Sequence, residues 1–118
     1  MAKPNQPKLV FRQFFDKDTG TFTYFLFDSE TMEGLIIDPV KEQFDRSLQF
    51  IEELGIELKY VIDTHVHADH VTSSCMLREA TGAKSVFGEP AGIECADILL
   101  EDGDEFEFGN FSLKAIVT

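Results

Sequence analysis

The sequence predicts an α/β domain in which helices cover a layer of strands. Several short segments alternate apolar and polar residues or are continuously apolar, as strands are. Two other segments carry apolar residues at helical spacing, and from residue 34 onwards the order is strand, helix, strand, helix, strand. With 118 residues, 43% of them apolar, the chain can form one packed core.

Three strands are predicted in the N-terminal part. Residues 1–7 hold two prolines among polar residues and are expected to be a disordered lead-in, so the domain is assigned to 8–118. Strands over 9–15 and 21–27 are separated by a turn with two aspartates and a glycine. A third strand, 34–38, is stopped by a proline.

Two helices are predicted in the middle of the chain. From 42 to 54 the apolar residues Phe44, Leu48, Ile51 and Leu54 share one helical face, and Gly55 stands at the expected C-terminal stop. A second helix is predicted to begin at Thr72 or Ser73, because either hydroxyl can cap it, and to end at Gly82.

The remaining segments favour strands. We predict strands over 58–64 and 84–87, and a hairpin over 106–115 with a tight turn at Gly109–Asn110. The last residues, 113–118, look like a buried strand without a polar tail, so we expect that a larger domain has been cut.

The composition argues against several classes of partner. The chain has 10 Lys and Arg against 22 Asp and Glu, and this net charge of −12 disfavours nucleic acid and anionic membranes. There is no apolar run long enough to span a membrane and no signal-peptide core at the N-terminus. Two cysteines, Cys75 and Cys95, are too few for a disulfide framework. We therefore expect reduced thiols in a cytoplasmic protein.

All three histidines lie within residues 64–70 (THVHADH). At the end of an extended strand His65 and His67 point to the same side, so both imidazoles can bind one metal ion. Asp69 and His70 follow where the strand turns into a helix, and they can add ligands to that ion or to a neighbouring one. Sites in α/β proteins lie at this end of the strands, so the segment predicts a metal site.

The motif Thr-His-x-His-x-Asp-His after an apolar strand resembles the signature of the metallo-β-lactamase fold superfamily. Within the superfamily the chain is most similar to the persulfide dioxygenases, in the segments 11–16, 20–24, 35–39, 60–72, 82–84 and 92–97. The resemblance spans 9–118 but only the N-terminal part of that family's domain. It implies the N-terminal half of an αββα sandwich, with a mixed sheet and flanking helices.

The resemblance also implies roles for single residues. Persulfide dioxygenases hold one iron(II) through two histidines and one aspartate, of which only the first histidine maps here, onto His65. His67, Asp69 and His70 would then position the site. In relatives with two zinc ions, such as the hydroxyacylglutathione hydrolases, all four residues bind metal, so all four are candidate ligands and Asp69 is also the candidate catalytic residue. Asp38 matches an aspartate that ends a strand beneath the metal site and supports it.

Three functions are open at this stage. The first is a non-haem iron(II) dioxygenase that oxidises glutathione persulfide to sulfite and glutathione. The second is a Zn(II)-dependent hydrolase that acts on a glutathione thioester, and the third is an inactive fragment that associates with a partner. The expected ligand is a thiol persulfide or another glutathione conjugate. Because half a sandwich leaves an apolar face near 22–27 and 106–111 uncovered, we also expect a homodimer or association with a C-terminal half.

Overall fold

A computed structural model describes residues 8–18, 20–64, 68–88 and 95–115, and within 68–72 it describes the backbone alone. The expected lead-in at 1–7 lies outside the described residues. Neither helix in the described parts of the chain has the length and apolar character needed to cross a bilayer.

The main sheet contains six strands: β1 (Leu9–Asp16), β2 (Thr21–Asp28), β3 (Glu33–Ile37), β4 (Glu57–Asp63), β5 (Lys84–Phe87) and β6 (Ile98–Leu99). The other elements are a 3-10 helix (Lys41–Gln43), α1 (Phe44–Leu54), α2 (Ala68–Thr81) and a hairpin of β7 (Glu105–Phe108) and β8 (Phe111–Lys114). The predicted first five strands and the hairpin are confirmed to within one residue at each described boundary.

The sheet is mixed, with its strands in the order β1–β2–β3–β4–β5–β6. The first three strands are antiparallel, and β3 to β6 are parallel neighbours. Helix α1 connects β3 to β4, and α2 connects β4 to β5. Since parallel strands joined by helices end at the same edge of the sheet, residues that follow β3, β4 and β5 are brought together there.

Each face of the sheet is covered by a different layer. On one face Phe25 and Ile36 pack with Ile51 of α1 and Leu77 of α2. This packing explains the helical spacing of the apolar residues, because only one side of α1 faces the sheet. On the opposite face the hairpin packs against the sheet through buried side chains, which are Leu35, Ile62, Val86, Phe106 and Phe108. The layers are therefore helices, sheet and hairpin, as expected for the first half of an αββα sandwich.

Asp28 fixes the hairpin to the end of β2. Its Oδ2 accepts hydrogen bonds from the backbone N–H of Asn110 at 2.7 Å and from Nδ2 of the same residue at 2.8 Å. Burial opposes ionisation of Asp28, but the N–H groups of Asn110 and Glu30 outweigh it and lower the pKa of Asp28. Gly109 adopts a left-handed φ of 64°, and a Cβ there would collide with Asp28 and Thr31.

The start predicted for the second helix is wrong. Helix α2 begins at Ala68, not at Thr72 or Ser73. Ser73 and Ser74, which lie inside the helix, are completely buried, and the Ser74 hydroxyl donates to the Asp63 carboxyl group at 2.9 Å. A serine that can cap a helix can also serve a tertiary contact, and only the packing distinguishes the two uses. The two-residue strand β6 was also not predicted.

The prediction of reduced thiols is contradicted. Cys75 in α2 and Cys95 before β6 form a disulfide bond, with Cα atoms 5.7 Å apart. The pairing depends on how α2 lies beside β5 and β6, which the spacing of 20 residues in the sequence does not reveal. The argument from free thiols for a cytoplasmic location therefore no longer holds.

The predicted apolar face is only partly correct. Phe106 and Phe108 are buried under the sheet, with 4% and 1% of their surface exposed. The exposed aromatic side chains lie instead on β1 and β2, where Phe11, Phe15 and Phe22 are 43–51% exposed. We call these three residues and the adjoining Tyr24 the aromatic face.

Candidate metal site

The histidine motif connects the C-terminal end of β4 to the start of α2. Strand β4 ends at Asp63, Thr64 follows, and α2 begins at Ala68. The predicted ligands His65 and His67 lie outside the described residues, and so do the side chains of Asp69 and His70. The described residues therefore show the contacts that hold the chain before and after the motif, and we call these contacts the frame of the site.

Asp38 lies directly beside this connection, at the end of β3. Its backbone is left-handed, with φ 55°, and its side chain is buried. The N–H of Asp38 donates to the carbonyl of Ile62 at 2.8 Å, and its carbonyl accepts from the Thr23 hydroxyl at 2.8 Å. A left-handed aspartate is uncommon, and here hydrogen bonds to two neighbouring strands hold it in place.

The carboxylate of Asp38 binds Thr64 through both oxygens. Oδ1 accepts from the backbone N–H of Thr64 at 2.7 Å, and Oδ2 accepts from its hydroxyl at 2.6 Å. Charge-assisted bonds of this length are the stronger kind, and two of them fix both position and orientation. The residue immediately before His65 is therefore held rigidly against the end of β3.

A second carboxyl group lies under the same edge. Asp63 is fully buried, and its Oδ2 accepts from the Ser74 hydroxyl at 2.9 Å. Burial raises the pKa of Asp63 to about 7; the Ser74 hydrogen bond acts against this shift, and the charge of Asp38 adds to it. Asp63 can therefore carry a proton near neutral pH, while Ser74 joins the second turn of α2 to the end of β4.

The C-terminal part of α2 is anchored by Asp97. Arg78 donates to Asp97 through Nε at 2.8 Å and through Nη2 at 3.1 Å. Asp97 also accepts the backbone N–H of Ser85 in β5 at 2.9 Å. These hydrogen bonds lower the pKa of Asp97 to about 2, with those from Arg78 as the largest cause and that from the Ser85 N–H as the next. The helix that carries Asp69 and His70 is thus fixed at two points, through Ser74 and through Arg78.

Of the predicted site residues, Asp38 alone has a described side chain; it follows β3 and binds Thr64, and its role beneath a metal ion stays a prediction. Among the described side chains no group of three His, Cys, Asp or Glu is arranged to hold a metal ion. The donor set of the motif, three imidazoles and one carboxylate, suits iron(II) or zinc. The frame also fits such a centre, because Asp38 holds the residue that precedes the first histidine.

Residue-by-residue reasoning missed three contributors to this frame: Thr64, Ser74 and Asp97. Thr64 and Asp97 stand within segments that carry the resemblance, so their positions were visible although their partners were not. For Ser74 the partner lies 11 residues away, and no local pattern indicates the contact.

Both the sequence and the fold of this chain are similar to those of known proteins. No protein-family model matches the chain. The human protein "Persulfide dioxygenase ETHE1, mitochondrial" is 45% identical over 107 residues, which cover 90% of this chain and 42% of the relative. A hydroxyacylglutathione hydrolase of Pelagibacter ubique is 32% identical over 95 residues, covering 79% of this chain and 39% of the relative.

Solved structures agree with these relatives. The crystal structure of ETHE1 from Myxococcus xanthus superimposes with a TM-score of 0.77 at 46% identity, covering 89% of this chain and 46% of that one. A metallo-β-lactamase from Staphylococcus aureus gives a TM-score of 0.74 at 21% identity, covering 92% and 34%, and this likeness shows the fold alone. The chain spans less than half the length of these relatives. The resemblance stated from the motifs is confirmed.

Proposed function

Because this chain is a homologue of the persulfide dioxygenases and has the metallo-β-lactamase fold, we propose that the full-length protein is a persulfide dioxygenase. The observation that carries the proposal is the 45% identity over 90% of the chain. In the proposed reaction one glutathione persulfide, one dioxygen and one water give one glutathione, one sulfite and two protons. The terminal sulfur is oxidised and dioxygen is reduced.

The proposed centre is mononuclear iron(II). His65 would be a ligand, while His67, Asp69 and His70 would position it, and the other ligands would come from parts of the protein outside this chain. Bound iron(II) would supply the redox chemistry that couples dioxygen to the persulfide sulfur.

The described residues support this role by holding the motif in place. Asp38 fixes Thr64 through two short hydrogen bonds, so the chain enters His65 from a defined position. Ser74 ties α2 to Asp63, so the helix that follows the motif keeps a fixed distance from the strand that precedes it. A ligand shell held on both sides loses less conformational entropy when metal and substrate bind.

The proposed substrate carries carboxylates, whereas this chain has a net charge of −12. The basic groups that bind glutathione are therefore expected in the part of the protein outside this chain. A cytoplasmic location also stays a prediction.

A zinc-dependent thioester hydrolase is the second candidate. It is favoured by the complete four-residue motif, in which His65, His67, Asp69 and His70 could hold two zinc ions. It is also supported by the 32% identity to a hydroxyacylglutathione hydrolase. In this case the zinc ions held by these residues would supply the activation of water that thioester hydrolysis needs.

Metal content and oxygen uptake separate the two candidates in the full-length protein. We expect about one iron per chain, oxygen consumption that depends on glutathione persulfide, and sulfite as product. Removal of iron with a chelator should abolish the uptake, and iron(II) rather than zinc should restore it. Two zinc ions per chain with thioester hydrolysis and no oxygen uptake would establish the hydrolase instead. Absence of both activities would favour the association role.

A further inference from the structure

The disulfide bond joins α2, the helix that follows the histidine motif, to the segment just before β6. Cys75 lies in the second turn of α2, and Cys95 lies just before β6 at the edge of the main sheet. The Cα separation of 5.7 Å is in the usual range for a disulfide. Both residues are partly exposed, so small reagents in solution can reach the pair.

Noncovalent bonds hold the same two elements together in parallel with the disulfide. Arg78, three residues after Cys75 on the same side of α2, forms a two-pronged ion pair with Asp97. The buried Ser85 hydroxyl donates to the carbonyl of Cys95, and the N–H of Asp97 donates to the Ser85 carbonyl at 3.1 Å. When the disulfide opens, the Arg78–Asp97 ion pair still holds Asp97 to α2, and the hydrogen bonds with Ser85 still hold the segment before β6 to β5. The disulfide can therefore open without unfolding of the sheet.

The disulfide is also connected to the frame of the site. Ser74 precedes Cys75 in the chain and donates to Asp63 at the end of β4. The same turn of α2 is thus held by a covalent bond on the β6 side and by a hydrogen bond on the β4 side. Loss of the covalent bond gives this turn more freedom and weakens the Ser74–Asp63 contact.

We propose that Cys75 and Cys95 form a thiol-exchange site at which low-molecular-weight thiols open and close the bond between α2 and the sheet edge. A thiolate attacks one sulfur, forms a mixed disulfide and releases the other cysteine as a thiolate, which takes up a proton. A second thiolate attacks the sulfur of the bound thiol and releases the remaining protein cysteine, so two thiols are oxidised to one disulfide while the protein gains two thiol groups. This inference goes beyond the proposed function and holds for either reaction at the metal site.

Redox titration of the native full-length protein tests the exchange. The protein is equilibrated with defined ratios of reduced to oxidised glutathione, quenched with acid, unfolded and alkylated, and the peptides with Cys75 and Cys95 are quantified by mass spectrometry. We expect Cys75 and Cys95 to pass together from the disulfide to the thiol form in one reversible two-electron transition. Full alkylation of both cysteines at every ratio would mean that the disulfide does not form and would overturn the proposal. A disulfide that is reduced only after denaturant has unfolded the protein would overturn it as well.

Hydrogen exchange tests the effect on α2. In wild-type protein the amides of 74–81 should exchange several-fold faster after reduction, whereas the β1–β2 hairpin, which is remote from the disulfide, should be unchanged. Cys95→Ser should exchange like the reduced protein in either buffer, which controls for other effects of the reductant. Equal exchange of 74–81 in oxidised and reduced wild type would overturn the coupling, and that comparison does not depend on folding of the variant.

Discussion

Asp38 binds Thr64 through both of its carboxylate oxygens, at 2.7 Å to the N–H and 2.6 Å to the hydroxyl. The two residues follow parallel neighbouring strands, β3 and β4, and are 26 positions apart in the chain. This pair fixes the point from which the histidine motif departs. Among the described residues it is the contact that most directly supports the proposed metal site.

Replacement of Asp38 should weaken metal binding. Asp38→Ala removes both hydrogen bonds to Thr64 and should lower iron affinity of the full-length protein about 10–100-fold, the usual cost of losing a group that orients ligands. Thr64→Val keeps the backbone bond and should have a smaller effect. Metal titration measures both, with Asp45→Asn on the exposed surface of α1 as the matched control. Wild-type affinity in Asp38→Ala would contradict the role.

The two enzymatic candidates predict different effects of histidine substitutions in the full-length protein. For mononuclear iron, His65→Ala should remove the metal and the oxygen uptake, whereas His70→Ala should reduce affinity or activity about 10–100-fold and retain some iron. For two zinc ions, His70→Ala should halve the zinc content and strongly depress thioester hydrolysis. Metal analysis and oxygen-electrode rates of both variants distinguish the two patterns.

Gly109→Ala should destabilise the protein by more than its backbone conformation alone requires. Gly109 and Gly20 have almost the same φ, 64° and 68°, but only at Gly109 would a Cβ meet neighbouring side chains, those of Asp28 and Thr31. Gly20→Ala should therefore cost about 1–2 kcal/mol for the left-handed backbone. Gly109→Ala should cost about 2–4 kcal/mol, since it also separates the hairpin from Asp28. Denaturant unfolding measures both, and equal costs would contradict the packing argument.

The aromatic face should cause this chain on its own to self-associate. Phe15 and Phe22 are paired across β1 and β2, with ring centres 4.8 Å apart, and both are more than 40% exposed. Phe15→Gln combined with Phe22→Thr should shift the chain toward monomer, because contiguous exposed apolar surface promotes association. Sedimentation velocity measures the shift. Leu54→Gln is the control, since Leu54 is 44% exposed elsewhere on the surface. A monomeric wild-type chain would contradict the prediction.

The Arg78–Asp97 pair should stabilise the fold in a pH-dependent way. The pKa of Asp97 is lowered from 3.8 to about 2, so its charged form is favoured in the folded state. Its contribution is complete above pH 4 and is lost as the pH falls toward 2. Asp97→Asn should therefore lower the free energy of unfolding at neutral pH, and its difference from wild type should shrink across that interval. Urea unfolding at several pH values measures this difference, and a constant difference would exclude the ion pair as its source.

The sequence by itself determined the elements whose signal is local. The apolar and aromatic residues of β1 and β2, the helical spacing in α1 and the turn at Gly109–Asn110 all predicted elements that the structure contains. Local patterns succeed there because each element has one face toward the core, and the period of its apolar residues records that face. The histidine motif was equally visible, since its four candidate ligands lie within six residues.

Tertiary structure decided the features that depend on distant partners. The two-residue strand β6 exists because β5 offers it hydrogen bonds, and Ser74 is used inside α2 because Asp63 lies beneath it. The pairing of Cys75 with Cys95 and the exposure of Phe22 likewise follow from which elements lie side by side. A single residue type is compatible with capping, packing or cross-linking, and the choice is made by the free energy of contacts between segments far apart in the chain.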